Sequence, residues 1–275
     1  MELKEHIQRA LEEDLGRGDI TTEALFDASA PAKAKILAKQ DLVLAGLDVA
    51  HKVFTHLDKK IIWKPEQKDG ERVRAGEPVV RLEGKACAIL KGERVALNFL
   101  QWLSGIATLT RRFVDTVEGT GVRILDTRKT TPTWRAIEKY AVQMGGGNNH
   151  RIGLFDRYLV KDNHITLAGS VASAIQKVLG QKKNGVPVEV EVQNLEELKE
   201  ALKFPVDIIL LDNFTPERAR EAVLMGRDKV QFEASGGITL ENVRAFAETG
   251  VDFISVGALT HSPPAADLSL TFLPS

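Results

Sequence analysis

The sequence predicts an α/β protein with two parts: an N-terminal α+β domain, sandwich-like in form, and an incomplete, open α/β barrel of about six parallel strands. Two patterns lead to this prediction. After about residue 121, six strand-like runs alternate with segments of helical periodicity, which is typical of parallel strands joined by right-handed crossovers. Before that point, short β-favouring runs lie between glycine, proline and aspartate, which indicates a small antiparallel or mixed sheet.

Composition limits the classes of protein that the chain can represent. Its 275 residues suffice for one large domain or two ordinary ones, and 43% of them are hydrophobic. The formal net charge of -1 argues against a nucleic-acid partner, and no apolar run reaches the length of a signal peptide or a membrane span. The single cysteine, Cys87, cannot form an internal disulfide and lies in an apolar run, where a packed side chain is favoured over a nucleophile. We therefore expect a cytoplasmic protein whose partners are small molecules.

The first predicted element is an amphipathic helix that ends near Gly16. Its apolar positions recur at helical spacing, at Leu3, Ile7, Ala10, Leu11 and Leu15. Short strands are expected within the runs AKAKILAKQDLVLAG, KKIIWKPEQKDG and EPVVRLEGKACAIL. From Gly92, a long helix with an apolar stripe is expected to join the two domains.

These elements predict the domain boundaries. We expect the N-terminal domain to span residues 1–104, with the linking helix running to about residue 118. The barrel domain is expected at residues 105–262. The tail at residues 263–275 is expected to pack back on the N-terminal domain.

The predicted strands of the barrel end in polar or small residues. These residues are Asp126, Lys161, Glu191, Asp212, Ser235 and Gly257. Barrels of this type carry their chemistry at the carboxyl ends of the strands, whereas a doubly wound sheet gathers functional residues at one switch point. The regular placement of such residues therefore favours a barrel with a site at this rim.

Two acidic residues, Glu191 and Asp212, follow apolar strand residues and are candidate catalytic or metal-binding groups. A carboxylate that points into a barrel must be paired or bind a cation, because its burial is otherwise costly. The alternative is that either residue caps the next helix or faces solvent. Glu189 alternates with Glu191 and is expected to point the same way, so the pattern alone does not separate them.

Small residues at the ends of the last two strands predict a phosphate site. They are Ser235, Gly236 and Gly237 after one strand, and Ser255 and Gly257 after the next. The first group precedes a helix expected to begin near Thr239, and backbone N–H groups at such a turn can approach an anion. Two such turns on adjacent strands of a barrel are a recurrent arrangement for phosphate.

A basic cluster surrounds the triple-glycine turn at residues 145–147. Its members are Arg128, Lys129, His150, Arg151 and Lys161. Concentrated positive charge in an electrically balanced chain indicates a small polyanionic substrate. The glycine loop is either a mobile clamp over that substrate or a loop tied by hydrogen bonds. Arg94, on the first turn of the linking helix, is interpreted from the residues alone as a surface charge.

Cations, two acids and a phosphate turn together fit the transfer of a phosphorylated sugar to an acidic acceptor. Positive charge grows on the sugar as pyrophosphate leaves. Carboxylates near the sugar ring and Mg²⁺ on the leaving group therefore both favour the reaction.

Ten short sequence motifs, spread over nearly the whole chain, can be compared with those of known protein families. They are GDITT, GERVALNFLQ, DTRKTTP, KYAV, GGGNNHRIGL, KDNH, EVEV, LLDN, EASGGI and SVGALTHS. In content and order they resemble the motifs of the quinolinate phosphoribosyltransferase family, which are type II phosphoribosyltransferases. Members of that family convert quinolinate and phosphoribosyl pyrophosphate to nicotinate mononucleotide, pyrophosphate and carbon dioxide in NAD biosynthesis. The resemblance implies the same activity, with Mg²⁺, for this chain.

The resemblance also implies a homodimer, or a larger assembly that contains it, in which the N-terminal domain of one chain covers the barrel of the other. Arg94 then reaches into the neighbour's site, which reverses its interpretation as a surface charge. The residues that hold quinolinate are then Arg94 of one chain with Arg128, His150, Arg151 and Lys161 of the other.

The resemblance assigns roles to the remaining candidates. Lys129 is similar to the family lysine near the pyrophosphate, and Glu191 and Asp212 match the acids that face the ribose and the metal. These three residues are the expected catalytic groups. The 5′-phosphate cradle is expected at Ser235, Gly236, Gly237 and Gly257. Thr127, Ser255 and His261 lie in matching motifs and are also expected to contact substrate.

One departure from the family pattern follows TTP, where Thr133 and Trp134 replace a common Gly-Leu pair. The indole either reshapes the loop beside the basic cluster or packs under it, and acceptor preference depends on which. Two alternatives to the expected function stay open: a related phosphoribosyltransferase with another acidic acceptor, and a non-catalytic barrel that binds a phosphorylated metabolite.

Overall fold

The computed structural model describes residues 3–274, which fold as two compact units. The first unit comprises the described residues of 1–111, 132–146 and 262–275, and the second comprises residues 112–131 and 147–261. Residues 132–146 group with the first unit, although they lie between two segments of the second unit in sequence.

The helices and strands are as follows. The helices are α1 (Leu3–Leu15), α2 (Ile20–Leu25), α3 (Leu47–Leu57), α4 (Ala86–Thr116), α5 (Arg135–Met144), α6 (Asp162–Ala168), α7 (Val171–Gly180), α8 (Leu195–Ala201), α9 (Pro216–Gly226), α10 (Val243–Ala247) and α11 (Ala258–His261). The strands are β1 (Pro31–Ala38), β2 (Leu42–Val43), β3 (Ile62–Pro65), β4 (Arg72–Val73), β5 (Pro78–Lys85), β6 (Arg123–Leu125), β7 (Tyr158–Val160), β8 (Val188–Val192), β9 (Ile208–Asp212), β10 (Gln231–Ser235), β11 (Phe253–Ser255) and β12 (Leu268–Phe272). Among these helices, none combines the length and the apolar character needed to cross a membrane.

The first unit contains an antiparallel sheet of strand order β12-β1-β5-β3, with β2 and β4 paired separately. Alternate residues of β1 are buried, so Ala34, Ile36 and Ala38 lie on one covered face. The tail that was expected to pack back on the N-terminal domain contributes β12, in which Phe272 pairs with Ala34. Of the two arrangements that the sequence left open, the sheet is the antiparallel one.

Two features of the first unit differ from the sequence predictions. Helix α4 begins at Ala86, so the ACAIL part of a run interpreted as strand is helical, and Gly92 lies inside the helix. A Cβ atom at Gly92 would lie 2.8 Å from Phe54 of α3, so the close approach of the two helices explains the glycine. Helix α3, which the sequence prediction omitted together with α2, buries Val49, Ala50, Val53 and Phe54.

The Thr133 and Trp134 pair lies in the first unit, directly before α5. Thr133 has a φ of 71°, in the left-handed region that favours glycine. Trp134 stacks on Phe99 of α4, with 4.9 Å between the ring centroids and 23° between the planes. The indole therefore packs against α4, while Thr133 adopts a backbone that suits glycine.

The second unit contains a parallel sheet of six strands in the order β6-β11-β10-β9-β8-β7. Each strand from β7 to β10 pairs with the next along the chain, and β11 closes onto β6. Within the described residues no ladder joins β6 to β7, and Asn148 forms only an isolated bridge with Leu125. The sheet is thus a barrel open at one side, which confirms the predicted incomplete α/β barrel.

An apolar cluster of Leu125, Ile208 and Phe253 lies among the barrel strands. Ile208 and Phe253 are the first residues of β9 and β11, whereas Leu125 is the last residue of β6. The Arg123 guanidinium lies 4.3 Å from the centre of the Phe253 ring.

Candidate active site

A cavity of about 730 Å³ lies at the carboxyl ends of the strands of the second unit. The predicted site residues that line it are Thr127, Arg128, Lys129, His150, Arg151, Lys161, Glu191, Asp212, Ser235, Gly236, Gly237, Ser255, Gly257 and His261. Residues outside the sequence prediction that also line it are Leu159, Leu210, Asn213, Glu233, Ile238, Thr239, Val256 and Ala258. The fold therefore brings together every predicted site residue except Arg94.

Arg94 is exposed on α4, within the first unit, and it is not among the residues that line the cavity. The structure contains a single chain, so the expected role of Arg94 in a neighbour's site stays a prediction.

Arg151 and Arg128 form part of the cationic lining of the cavity. Arg151 is only 7% exposed, and its Nη1 donates a hydrogen bond of 3.3 Å to the carbonyl of Arg157. Burial, followed by the positive charge of Arg128, lowers the pKa of Arg151. A buried arginine that a second arginine repels is stabilised when an anion binds between them, so this region suits a carboxylate or a phosphate.

The loop that carries His150 and Arg151 is tied by hydrogen bonds. The backbone N–H of His150 donates to Asp126 Oδ1 at 2.8 Å, and the carboxylate of Asp156 accepts from the N–H groups of Ile152 and Gly153 at 2.7 and 2.9 Å. Asp126 is fully buried and does not line the cavity, although the sequence placed it at the rim with the other strand ends. Of the two alternatives for this loop, the tied loop is the one observed.

The structure separates the two glutamates of β8. Glu191 is 7% exposed and lines the cavity, where its Oε2 lies 3.0 Å from Nζ of Lys161. Glu189 is fully buried, does not line the cavity, and lies 3.1 Å from Nε2 of His150. Alternation places both on one face of the strand, but only the residue nearer the carboxyl end reaches the cavity.

Asp212 ends β9 next to Glu191 of the neighbouring strand. It is partly buried, lines the cavity, and accepts a hydrogen bond of 2.8 Å from Nδ2 of Asn213. In the strand register Glu191 pairs with Leu210, so Asp212 lies two residues further toward the carboxyl end on the same face. The two carboxylates therefore occupy successive levels of the barrel mouth.

Glu233 is a cavity-lining residue that the sequence analysis missed. It is fully buried on β10, and its Oε1 accepts a hydrogen bond of 2.5 Å from the hydroxyl of Ser255. The signal that could have found it is its position two residues before Ser235, which places both side chains on the same face of the strand.

The serine-glycine turn after β10 requires its glycines for different reasons. Gly236 has a φ of 92°, and a Cβ atom there would lie 2.1 Å from Oδ1 of Asn213. Gly237 has a φ of 62° but open space around it. At the next turn, a Cβ atom on Gly257 would lie 3.0 Å from Cδ of Lys129. The glycines of both turns line the cavity, so their backbone faces the space where a ligand would bind.

The helix after the first turn begins later than predicted. Helix α10 starts at Val243 rather than near Thr239. The intervening residues form a turn in which Asn242 accepts from the N–H of Thr239 at 2.8 Å and donates to the carbonyl of Gly237 at 2.9 Å. Side-chain amide hydrogen bonds therefore shape this turn, and the expected helix N-terminus does not reach it.

Lys129 is exposed at the cavity, and its main chain is fixed on both sides. Its N–H donates to the hydroxyl of Thr127 at 3.0 Å, and its carbonyl accepts from the hydroxyl of Thr260 at 2.8 Å. These contacts hold the base of a flexible lysine beside Gly257 while its ammonium group stays free to follow a ligand.

An open parallel barrel whose mouth combines arginines, carboxylates and glycine turns defines a class of α/β-barrel enzymes that act on anionic, phosphorylated substrates. The family models narrow this class. The model of the quinolinate phosphoribosyl transferase N-terminal domain matches residues 19–104, and that of the C-terminal domain matches residues 106–271. The chain belongs to the quinolinate phosphoribosyltransferase family.

Similar proteins cover nearly the full length of the chain. A probable nicotinate-nucleotide pyrophosphorylase (carboxylating) of Bacillus subtilis is 42% identical over 98% of this chain and 93% of its own. The chloroplastic nicotinate-nucleotide pyrophosphorylase (carboxylating) of Arabidopsis thaliana is 42% identical over 98% of this chain and 82% of its own. The solved structure of the nicotinate-nucleotide pyrophosphorylase from Francisella tularensis superimposes with a TM-score of 0.95 at 43% identity, covering 98% of this chain and 96% of that one.

Proposed function

We propose that this protein transfers the phosphoribosyl group of phosphoribosyl pyrophosphate to quinolinate. Pyrophosphate and carbon dioxide are released, and nicotinate mononucleotide is formed for NAD biosynthesis. The observation that carries the proposal is that Arg128, Arg151, Lys161, Glu191 and Asp212 line one and the same cavity. The activity named for the full-length relatives supports the choice of acceptor.

The cations of the cavity match the acceptor. Quinolinate carries two carboxylates on adjacent carbons of a pyridine ring. Arg128 and Arg151 offer planar guanidinium groups that can bind a carboxylate through two hydrogen bonds, and Lys161 adds a point charge. Fixing both carboxylates aims the ring nitrogen at the ribose, and such positioning supplies a large part of the rate enhancement.

The acids and the glycine turns match the ribosyl donor. As pyrophosphate leaves, positive charge develops on the ribose, and the carboxylates of Glu191 and Asp212 stabilise it. The turns at residues 235–237 and at Gly257 hold the 5′-phosphate, with Lys129 next to the departing pyrophosphate. The ring nitrogen then attacks the anomeric carbon, and the bond to pyrophosphate breaks.

Decarboxylation follows from the new bond. The ring nitrogen becomes positively charged, and the carboxylate on the adjacent carbon leaves as carbon dioxide. The electron pair stays on that carbon, where the neighbouring positive charge stabilises it until a proton is added. The residues of the cavity need to hold the adduct in place during this step, and no covalent nucleophile takes part.

Magnesium fits the acids of the cavity. Glu191 and Asp212 offer carboxylate oxygens on neighbouring strands, and Mg²⁺ is commonly held by one or two carboxylates together with substrate phosphates. When bound there, Mg²⁺ would neutralise negative charge on the leaving pyrophosphate. We therefore propose Glu191 and Asp212 as the residues that hold it.

We also propose a homodimer with shared sites. Leu154, Phe155 and Leu167 of the second unit are 71%, 80% and 88% exposed, and Ile20 and Leu25 of the first are 84% and 67% exposed. Exposed apolar groups of this size are typical of protein interfaces. In a dimer that covers them, Arg94 of one chain would complete the acceptor site of the other.

An assay with quinolinate, phosphoribosyl pyrophosphate and MgCl₂ tests the proposal. We expect release of carbon dioxide that depends on quinolinate and equals the nicotinate mononucleotide formed. Turnover of nicotinate, without quinolinate turnover, would replace the proposal with a related phosphoribosyltransferase. Calorimetric binding of phosphoribosyl pyrophosphate without turnover of either acceptor would indicate a non-catalytic barrel.

A further inference from the structure

Three buried ionisable side chains form a layer at the floor of the cavity, where His150 and Glu233 line it and Glu189 lies behind them, and the proposed reaction assigns this layer no chemical step. Glu189 and Glu233 are fully buried, and His150 is 7% exposed. The potential ligand atoms of these three side chains lie within 4.8 Å of one another. Arg157 places Nη1 3.0 Å from Oε2 of Glu189 and 3.4 Å from Nε2 of His150.

The hydrogen bonds of His150 argue against a metal in this layer. Its Nδ1 accepts a hydrogen bond of 2.7 Å from the backbone N–H of Arg151, so the neutral ring carries its proton on Nε2. The protonated Nε2 faces Oε2 of Glu189 at 3.1 Å and has no lone pair for a metal. The guanidinium of Arg157 already supplies the cation that a buried carboxylate requires.

His150 therefore connects the buried layer to the cavity. One ring nitrogen is bound to the main chain at Arg151, and the other is bound to Glu189. Because both nitrogens have protein partners, His150 is better suited to positioning Arg151 than to binding a substrate carboxylate itself.

The two buried glutamates differ in their partners. Burial raises the pKa of Glu189, but hydrogen bonds with His150 and Arg157 and nearby positive charge outweigh it and leave the pKa below its ordinary value. Burial, followed by the charge of Glu189, raises the pKa of Glu233 well above its ordinary value, although the hydroxyl of Ser255 opposes this. Oε2 of Glu233 lies 3.5 Å from Nε2 of His150.

We propose that Glu233 is a positioning residue for the acceptor. Ser255 fixes one oxygen of its carboxyl group, and the other faces His150, so Glu233 holds the His150 ring in place beside Glu189. Because the Nδ1 of that ring accepts from the backbone N–H of Arg151, Glu233 supports Arg151 through His150. This inference rests on the proposed function, in which the acceptor is quinolinate.

The test compares Glu233→Gln, Glu233→Ala and Glu189→Gln in steady-state kinetics, with quinolinate and phosphoribosyl pyrophosphate varied separately. Alanine removes the buried hydrogen bonds, so Glu233→Ala should raise the KM for quinolinate about tenfold or more. Glutamine is neutral and still accepts and donates, so Glu233→Gln should restore that KM to within about threefold of wild type. Glu189→Gln, the same change on the charged partner, should raise it about tenfold or more, because Arg157 loses its counter-ion.

The KM for phosphoribosyl pyrophosphate is the internal control, and it should stay within about threefold in all three variants. A purely structural defect would instead alter both KM values and lower the thermal unfolding midpoint. The proposal is wrong if Glu233→Gln raises the quinolinate KM as much as Glu189→Gln does, or if Glu233→Ala leaves it unchanged. If Glu233→Ala does not fold, the comparison of Glu233→Gln with Glu189→Gln still tests the proposal. Failure of the wild type to turn over quinolinate would contradict the proposed function instead.

Discussion

At the residue scale, Thr133 is a β-branched residue held in left-handed backbone, with a φ of 71°. Residues with a Cβ atom pay about 1–2 kcal/mol in this region, because Cβ approaches the following carbonyl oxygen. The stacking of Trp134 on Phe99 and the start of α5 at Arg135 hold the chain in this conformation. Glycine would adopt the same backbone without the steric cost.

Replacing Thr133 by glycine should therefore stabilise the protein. We expect the free energy of unfolding to rise by about 0.5–1 kcal/mol, since the steric relief exceeds the greater entropy of glycine in the unfolded chain. Thermal unfolding of Thr133→Gly and of the control Thr133→Ala measures this. Alanine keeps the Cβ atom, so an equal gain in both variants would contradict the explanation.

The two glycines of the turn after β10 should respond differently to alanine. At Gly236 the added Cβ would lie 2.1 Å from Oδ1 of Asn213, whereas at Gly237 it would meet nothing within 4 Å. Gly236→Ala must shift the turn, so we expect its KM for phosphoribosyl pyrophosphate to rise by about tenfold or more, and that of Gly237→Ala by less. Kinetics with each substrate varied in turn make the comparison. A larger effect at Gly237 would show that the turn does not hold the phosphate as proposed.

Residue patterns predicted which residues belong to the site better than they predicted which of them line the cavity and which are buried behind it. The alternation of β8 gave the face on which Glu189 and Glu191 lie, but one face of a strand passes through several levels of a barrel. Only the fold shows that Glu189 is buried behind His150 while Glu191 itself lines the cavity. Glu233 was missed because its run, QFEAS, contains a single acid with no repeat to mark it.

At the scale of elements, β12 covers the edge of β1. Leu268 pairs with Ala38 in this ladder, is 2% exposed, and its carbonyl accepts a hydrogen bond of 3.0 Å from Nε2 of Gln101. A strand that closes a sheet edge protects unpaired backbone groups from other chains. The tail therefore belongs structurally to the first unit although it follows the barrel in sequence.

Truncating Leu268 to alanine should weaken this closure. Loss of a buried leucine side chain is expected to lower the free energy of unfolding by about 2–4 kcal/mol. The matched control is Thr271→Val on the same strand, which is exposed and should change it by less than about 0.5 kcal/mol. Thermal unfolding and light scattering would follow stability and aggregation. Equal stability of the two variants would contradict the role assigned to β12.

The predicted start of a helix was wrong where a glycine allows close packing instead of marking the end of an element. Gly92 was interpreted as the start of a helix, but it lies inside α4 because α3 approaches closely there. Similarly, a Cβ atom at Gly145 would lie 2.5 Å from the carbonyl oxygen of Ala107, so this glycine of the 145–147 turn is packed rather than mobile. A sequence does not distinguish a glycine that permits motion from one that permits contact.

At the scale of the whole molecule, the proposed dimer makes a quantitative prediction. Chains with Arg94→Ala and chains with Arg151→Ala should each be poorly active, because every site lacks one arginine. In a hybrid dimer, one of the two sites combines the intact Arg151 of one chain with the intact Arg94 of the other. Random mixing gives about half hybrids, so activity should recover to about one quarter of wild type.

Native mass spectrometry provides the control by counting hybrid dimers in the mixture. A chain that carries both substitutions, mixed with either single variant, restores no complete site and should stay inactive. Hybrids that form without recovery of activity would show that Arg94 does not act in the neighbouring site.

The fold class was predictable because regular alternation of strands and helices leaves few topologies. The side on which the barrel opens was not predictable. The connection from β6 to β7 contains α5, which groups with the first unit, and no local pattern states with which partner a helix will pack. The same connection separates two strands that a closed barrel would pair.

The chain passes between its two units four times, at residues 111–112, 131–132, 146–147 and 261–262. No single cut therefore releases the barrel as one contiguous piece. A fragment that starts at residue 112 still carries Trp134 and Glu138, but it has lost Phe99 and Trp102, their partners in stacking and hydrogen bonding. Because each unit is built from separate segments of the chain, we expect the gene segments that encode the two units to stay together in evolution. For the same reason we expect the two units to unfold in one cooperative transition.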